Sequence, residues 1–164
     1  MKVIWPLILA LSFSWAPAWA CGNVHKDQSA DATPGATTGS VPRFRWPVQS
    51  KKIIVAICAP PDGASGINIA VAEGTPIEAA EDGVVAYAGD YLKAYGNMML
   101  VRHSNGYYTA YAHASRLLAK RDDQVKRGRV IALSGQTGNV SSPQLHFEVR
   151  KGSMPVDPLL FLEP

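Results

Sequence analysis

The chain has 164 residues, 47% of them hydrophobic and 18% charged, with a formal net charge of +3. That length buries one full core but hardly two. So small a basic excess excludes a nucleic-acid footprint, which needs concentrated cationic surface, and no glycine-rich run makes a phosphate loop.

The first element is an export signal over residues 1–20. Lys2 precedes the apolar run Val3 to Ala16, and Ala18-Trp19-Ala20 forms an A-x-A cleavage site before Cys21. The run is interrupted by Pro6, Ser12 and Ser14, and at about 14 residues it is short of the ~20 that span a bilayer. Cleavage removes Lys2 and no acidic residue, leaving 15 − 13 = +2. Cys21 then stands where bacterial lipoproteins carry their acylated cysteine, and Gly22 in place of Asp after it implies the outer membrane by resemblance to that class. The alternative is a soluble periplasmic protein in which Cys21 and Cys58 pair.

Residues 21–41 are rich in Ser, Thr, Ala, Gly, Asp and Pro with no apolar period, which reads as a flexible linker. About 20 such residues reach roughly 25 Å. The folded domain is expected over 42–164. Strands are predicted at Ile53 to Ile57, Gly83 to Ala88, Met98 to His103, Tyr107 to Tyr111, Arg129 to Leu133 and Leu145 to Val149, each β-branched or aromatic and bounded by Gly, Pro, Asn or Asp. Asn105-Gly106 predicts a type I′ hairpin turn with positive φ at both central residues. A helical turn is expected at Ala114 to Ala119. The pattern is all-β, an antiparallel sheet folded into a sandwich or half-barrel.

Trp46, Tyr87, Tyr107, Tyr108 and Tyr111 alternate with apolar neighbours and read as core or sheet-face residues, whereas Tyr95, before Gly96, reads as a loop residue at a groove. Lys120, Arg121, Lys126, Arg127 and Arg129, interrupted by Asp122 and Asp123, read as a solvated loop face.

Three blocks carry chemistry. The first is Gly66-Ile67-Asn68-Ile69-Ala70 with Glu73-Gly74-Thr75-Pro76-Ile77 and Ala80-Glu81-Asp82-Gly83-Val84-Val85. The second runs from Gly96 to His103 and from Asn105 to His113. The third is Val125-Lys126-Arg127-Gly128, Gly135-Gln136-Thr137-Gly138 and Gln144-Leu145-His146-Phe147-Glu148-Val149-Arg150. Together they resemble the LytM/lysostaphin-type peptidoglycan endopeptidases, a duplicated hybrid-motif fold, over Phe44 to Leu162. The resemblance places that family's metal ligands at Ala64, Asn68 and His146, and its two catalytic histidines at His113 and Gln144. Only His146 of the ligands and His113 of the catalytic pair are kept.

These losses are severe. Alanine has no lone pair, a neutral amide is a poor zinc ligand, and one imidazole cannot hold the ion. Without zinc, nothing lowers the pKa of water from about 16 to near 7. No cofactor and no metal-dependent hydrolysis are therefore expected, unless Asp62 and Cys58 rebuild the site beside His146. The chain is similar to the EnvC, NlpD and DipM group of degenerate LytM domains. That similarity implies a periplasmic regulator of cell-wall remodelling and daughter-cell separation, which docks on an N-acetylmuramoyl-L-alanine amidase and activates it. A groove of Asn68, Tyr95, His113, Gln144 and His146 is the expected contact for the partner or a ligand. A peptidoglycan-binding module is the alternative, and membrane contact is expected only through a lipid on Cys21. A biotinyl or lipoyl carrier, echoed by Glu73 to Val85 and Val125 to Ile131, is rejected because no lysine occupies the hairpin tip.

Overall fold

The computed structural model describes residues 42–57 and 66–164. The export signal, the linker with Cys21, and Cys58, Asp62 and Ala64 lie outside them.

Among the described residues ten strands follow in chain order: β1 (Ile53–Ile57), β2 (Gly66–Ala70), β3 (Pro76–Glu78), β4 (Gly83–Gly89), β5 (Asn97–Arg102), β6 (Tyr107–Leu117), β7 (Gln124–Val125), β8 (Val130–Ser134), β9 (Gln144–Lys151) and β10 (Met154–Val156), then a 3₁₀ turn at Pro158–Leu160. They form one sheet ordered β1-β2-β9-β6-β5-β4-β7, with β10 on β9, and β3 on β8, which in turn pairs with β6. Every strand pair is antiparallel.

Strand β6 decides the shape. Its first part lies between β5 and β9, and its second pairs with β8 through Ala114–Ser134, Arg116–Leu133 and Leu117–Ala132. Between the two parts His113 takes φ 64°, which breaks an extended run and turns the strand. The sheet curls into an open half-barrel. The helical turn expected at Ala114 to Ala119 is absent, because β6 continues to Leu117. The helix propensity of alanine, a few tenths of a kcal/mol per residue, yields to the ladder with β8.

The β5–β6 hairpin forms at Asn105-Gly106, but not as a type I′ turn. Among the described residues only His113 and Asp122 are non-glycine residues with positive φ, so Asn105 is not one, while Gly106 has φ 78°. Gly106 N–H reaches His103 C=O at 3.3 Å and His103 N–H reaches Tyr107 C=O at 2.9 Å. This is the longer loop in which a turn is followed by one left-handed glycine.

Period-two alternation builds the core. Leu145, Phe147 and Val149 of β9 pack with Ile67, Ile69, Met99, Val101, Tyr111 and Ile131, each such burial worth about 1.5–3 kcal/mol. At one edge the segment around Phe44 bridges to Leu162. Phe44 N–H donates to Phe161 C=O at 2.8 Å, Glu163 N–H donates to Phe44 C=O at 2.9 Å, and Trp46 Nε1 donates to Glu163 C=O at 2.7 Å. Arg127 clamps this strap through the carboxylates of Glu81 and Glu163. The basic cluster is therefore divided: Lys120 and Arg121 are exposed, but Arg127 is a structural tie.

A polar chain crosses the core. His103 Nδ1 is 2.8 Å from Asp82 C=O and Nε2 is 2.9 Å from Thr109 Oγ1, which lies 2.9 Å from the Tyr111 hydroxyl. A carbonyl only accepts, so Nδ1 carries the proton and Nε2 accepts from Thr109 in the neutral ring. Burial, opposed by the Asp82 carbonyl and by Glu81 and Asp82, holds His103 below its ordinary 6.5. The unfolded chain thus binds a proton more readily than the folded one. This contribution to stability is complete above the ordinary value and is lost as pH falls through the depressed one. Melting followed by circular dichroism should give a constant Tm between about pH 8 and 7 and a falling Tm from about pH 6.5 to 5. A Tm that rises on that acidification would reverse the assignment.

Candidate functional site

Successive side chains of a strand point to opposite faces, so β9 sends Gln144, His146, Glu148 and Arg150 away from the core face that carries Phe147. In register, His146 lies between Asn68 of β2 and Ala112 of β6, one residue before the kink at His113. The loop between β4 and β5 adds Tyr95, whose ring centroid is 5.5 Å from that of His146 and whose hydroxyl is 3.4 Å from Glu148 Oε1. The rings of His113 and His146 meet edge-on at 6.0 Å.

The structure thus gathers Asn68, Tyr95, His113 and His146, with Gln144 two residues along the same face of β9. Gln144 is buried, and its N–H donates to Gly135 C=O at 3.1 Å. Ala64 lies outside the described residues. The floor of the groove is almost closed to water: His113 is 6% exposed, His146 5% and Glu148 2%. Gly66 makes this packing feasible. It has φ 127°, and a Cβ there would sit 2.6 Å from Phe147 C=O and 3.1 Å from His146 Cε1, so only glycine lets β2 start against β9.

Both ring nitrogens of His146 have partners on the floor. His146 Nδ1 is 2.6 Å from Asn68 Oδ1, and Nε2 is 2.9 Å from Glu148 Oε1. Arg150 Nη1 donates to Glu148 Oε2 at 2.8 Å and Nη2 to Ser153 C=O at 2.7 Å. Burial alone would raise the Glu148 carboxyl, but the hydrogen bonds from His146 and Arg150 outweigh it and hold the group below its ordinary 4.5. His113 Nδ1 donates to Thr137 C=O at 2.8 Å. Burial, opposed by that bond and reinforced by His146, holds the His113 ring below its ordinary 6.5, which keeps it neutral with Nε2 as an acceptor. Its strained φ, a cost of about 1–3 kcal/mol, is held by its own N–H to Tyr95 C=O at 2.9 Å.

A zinc ion does not fit these residues. Nitrogen and oxygen ligands about 2.1 Å from a tetrahedral ion stand roughly 3.4 Å from each other. Asn68 and His146 are instead 2.6 Å apart, a hydrogen bond with a proton where the ion would have to be. The remaining nitrogen of His146 is taken by Glu148. Among the described residues no three His, Cys, Asp or Glu side chains converge on a metal-sized point.

One participant, Glu148, was missed in the sequence, as were two exposed apolar residues on the loop beside it. Glu148 stood in the quoted motif and could have been found from alternation alone, two residues from His146 on one strand face. Tyr91 and Leu92, 83% and 47% exposed, sit on the loop that carries Tyr95, and a lone apolar pair between Asp90 and Lys93 gives no periodic signal.

A curled antiparallel sheet with a histidine-lined groove defines a LytM-type peptidase domain. The chain belongs to peptidase family M23, whose model matches residues 62–158. The murein hydrolase activator NlpD of Escherichia coli is 40% identical over 126 residues, covering 77% of this chain and 33% of that protein. The lipoprotein NlpD/LppB homolog of Pseudomonas aeruginosa is 40% identical over 134 residues, 82% of this chain and 44% of its own length. The chain spans about a third to under a half of these relatives. Among solved structures, a zinc-containing peptidase from Vibrio cholerae superposes with a TM-score of 0.64 at 32% identity, covering 70% of this chain and 39% of that one. Among the described residues no helix is long and apolar enough to cross a membrane.

Proposed function

We propose that the protein is a non-catalytic LytM-domain regulator of the periplasm, held at the outer membrane by a lipid on Cys21, that binds and activates an N-acetylmuramoyl-L-alanine amidase during cell-wall remodelling and daughter-cell separation. One observation carries the reading: the Asn68–His146 hydrogen bond, backed by Glu148, replaces the metal with an internal polar network. The scaffold of a peptidase is intact, and its reactive centre is spent on holding itself together. The activator and lipoprotein names of the relatives support the same reading.

The contact surface combines the groove with the loop beside it. Tyr91 and Leu92 project where a partner can bury them, as aromatic anchors at interfaces commonly are, and the Tyr95 ring joins that loop to the floor at His146. Activation then needs no chemistry from this chain. A surface that binds the open hydrolase better than the closed one shifts its population by the ratio of the two affinities and no further.

One pair of assays tests this. The purified protein, with zinc added, should release no cross-bridge peptide from peptidoglycan, and with a cognate amidase it should accelerate dye release from labelled sacculi. Zinc-dependent peptide release would refute the non-catalytic reading. No acceleration across every amidase of the host would refute the activator role.

A further inference from the structure

The start of β6, away from the groove, is ringed by an amphipathic belt. Strand β10 and the 3₁₀ turn after it place Met154, Leu159 and Leu160 on the surface, Met154 with 71% of its area exposed. Single apolar residues on a surface are ordinary, but three between positions 154 and 160 form a cluster that marks a contact.

Aromatic contacts fix where the cluster sits. Lys151, opposite Met154 in the β9–β10 register, holds its Nζ 6.0 Å from the Tyr107 ring centroid. Tyr107 lies 5.4 Å from Phe161, and Phe161 lies 6.4 Å from Phe44. Two residues beyond Phe44, the Trp46 indole donates to Glu163 C=O at 2.7 Å and has Lys51 Nζ over its ring at 5.5 Å. The charge here is one-sided. Arg43, Lys51 and Lys151 are exposed, and among the described residues none of the three is in an ion pair. Of the acids nearby, Glu163 is bound to Arg127, and Asp157 turns an oxygen to Leu159 N–H at 2.9 Å.

This combination fits a bilayer surface better than a folded partner. Protein interfaces are anchored by Tyr, Trp and Arg seated in pockets, with leucine under-represented. Aliphatic tips flanked by an indole and by lysines on long stems instead match the boundary between acyl chains and headgroups, and the excess positive charge selects an anionic one. The chain also enters the body here: Arg43 follows Pro42, the first described residue, so everything before it, Cys21 included, joins the domain at this corner.

We propose that Trp46, Lys51, Lys151, Met154, Leu159 and Leu160 form a membrane-contact surface that seats the domain on the headgroups of an anionic phospholipid bilayer. Its use in the cell rests on the membrane-held reading given above. The binding itself does not, and the test separates the two.

The chain from residue 21 onward, with Cys21→Ser so that no acyl group contributes, is mixed with vesicles of phosphatidylethanolamine and phosphatidylglycerol. Trp46 is then the sole tryptophan, because Trp5, Trp15 and Trp19 precede residue 21. The protein should sediment with these vesicles and not with phosphatidylcholine alone, Trp46 emission should move to the blue, and lipids brominated on their acyl chains should quench it. Binding should fall roughly fivefold for each of Lys51→Ala and Lys151→Ala and at least about tenfold for Leu159→Ser combined with Leu160→Ser. Met154→Ser, at the most exposed of the apolar positions, should weaken binding in the same direction and guards against misfolding of the leucine pair. No sedimentation, equal binding to phosphatidylcholine, an unchanged Trp46 spectrum or full binding by the leucine variant would each overturn the proposal. Amidase stimulation on isolated sacculi, where no bilayer is present, should be the same for the leucine variant as for the native protein. A loss there would assign the corner to the hydrolase instead, whereas vesicle binding without any amidase stimulation would sink the activator role alone.

Discussion

Replacing Glu148 by alanine is expected to destabilise the domain by about 3–5 kcal/mol, the scale for removing one member of a buried ion pair. The carboxylate is 2% exposed and accepts from His146 and Arg150 while facing the Tyr95 hydroxyl. Its loss leaves the Arg150 guanidinium, 30% exposed, without its anion and opens a void beneath His146. Glu148→Gln keeps the shape but not the charge and should cost less. Urea denaturation followed by fluorescence measures both, and a midpoint shift for Glu148→Ala equivalent to less than about 1 kcal/mol would show that the network contributes little. Stability should likewise decline in acid. The folded-state pKa of Glu148 is depressed, so its contribution is present above the ordinary carboxyl value and is lost as pH falls through the lower folded one.

Truncating Tyr91 to alanine should lower amidase stimulation about tenfold or more, which is about 1.4 kcal/mol of binding. Its side chain meets solvent over most of its surface, 83%, so Tm should stay within about one degree of the native value. Gln144→Glu approaches the same surface from the floor, where a new carboxylate would be desolvated by any partner that covers it. Calorimetry with the cognate amidase reads both variants. Unchanged affinity for the pair would move the interface elsewhere on the domain, while loss with Gln144→Glu alone would confine it to the groove.

The strands and the groove differ in how far the sequence discloses them. Alternation at Leu145, Phe147 and Val149 is enough to place β9 and its core face, since a period of two has one structural meaning over that length. Short pieces such as β3 and β7 carry too few residues for a period and exist only because β8 and β4 lie beside them. The kink at His113 was not legible either. Nothing in Ala110 to Ala114 calls for a left-handed residue, and Tyr95 C=O and Thr137 C=O, which hold it, come from distant loops. The same applies to Asn68. The resemblance implies an acidic ligand at this position, but that the Asn68 amide oxygen stands 2.6 Å from His146 follows from the β2–β9 register alone.

The strap that joins Phe44 to Leu162 sets how the domain bears load. Phe44 packs on His103 and Tyr107 with ring centroids 5.3 and 6.0 Å away, at the start of β6, and His113 is six residues farther on, about 20 Å at ~3.3 Å per residue. Tension applied through the preceding segment therefore enters the body at its rear and runs into the final residues through two backbone hydrogen bonds and the Arg127 clamp. The groove around His113 and His146 lies off that path and is spared the pull.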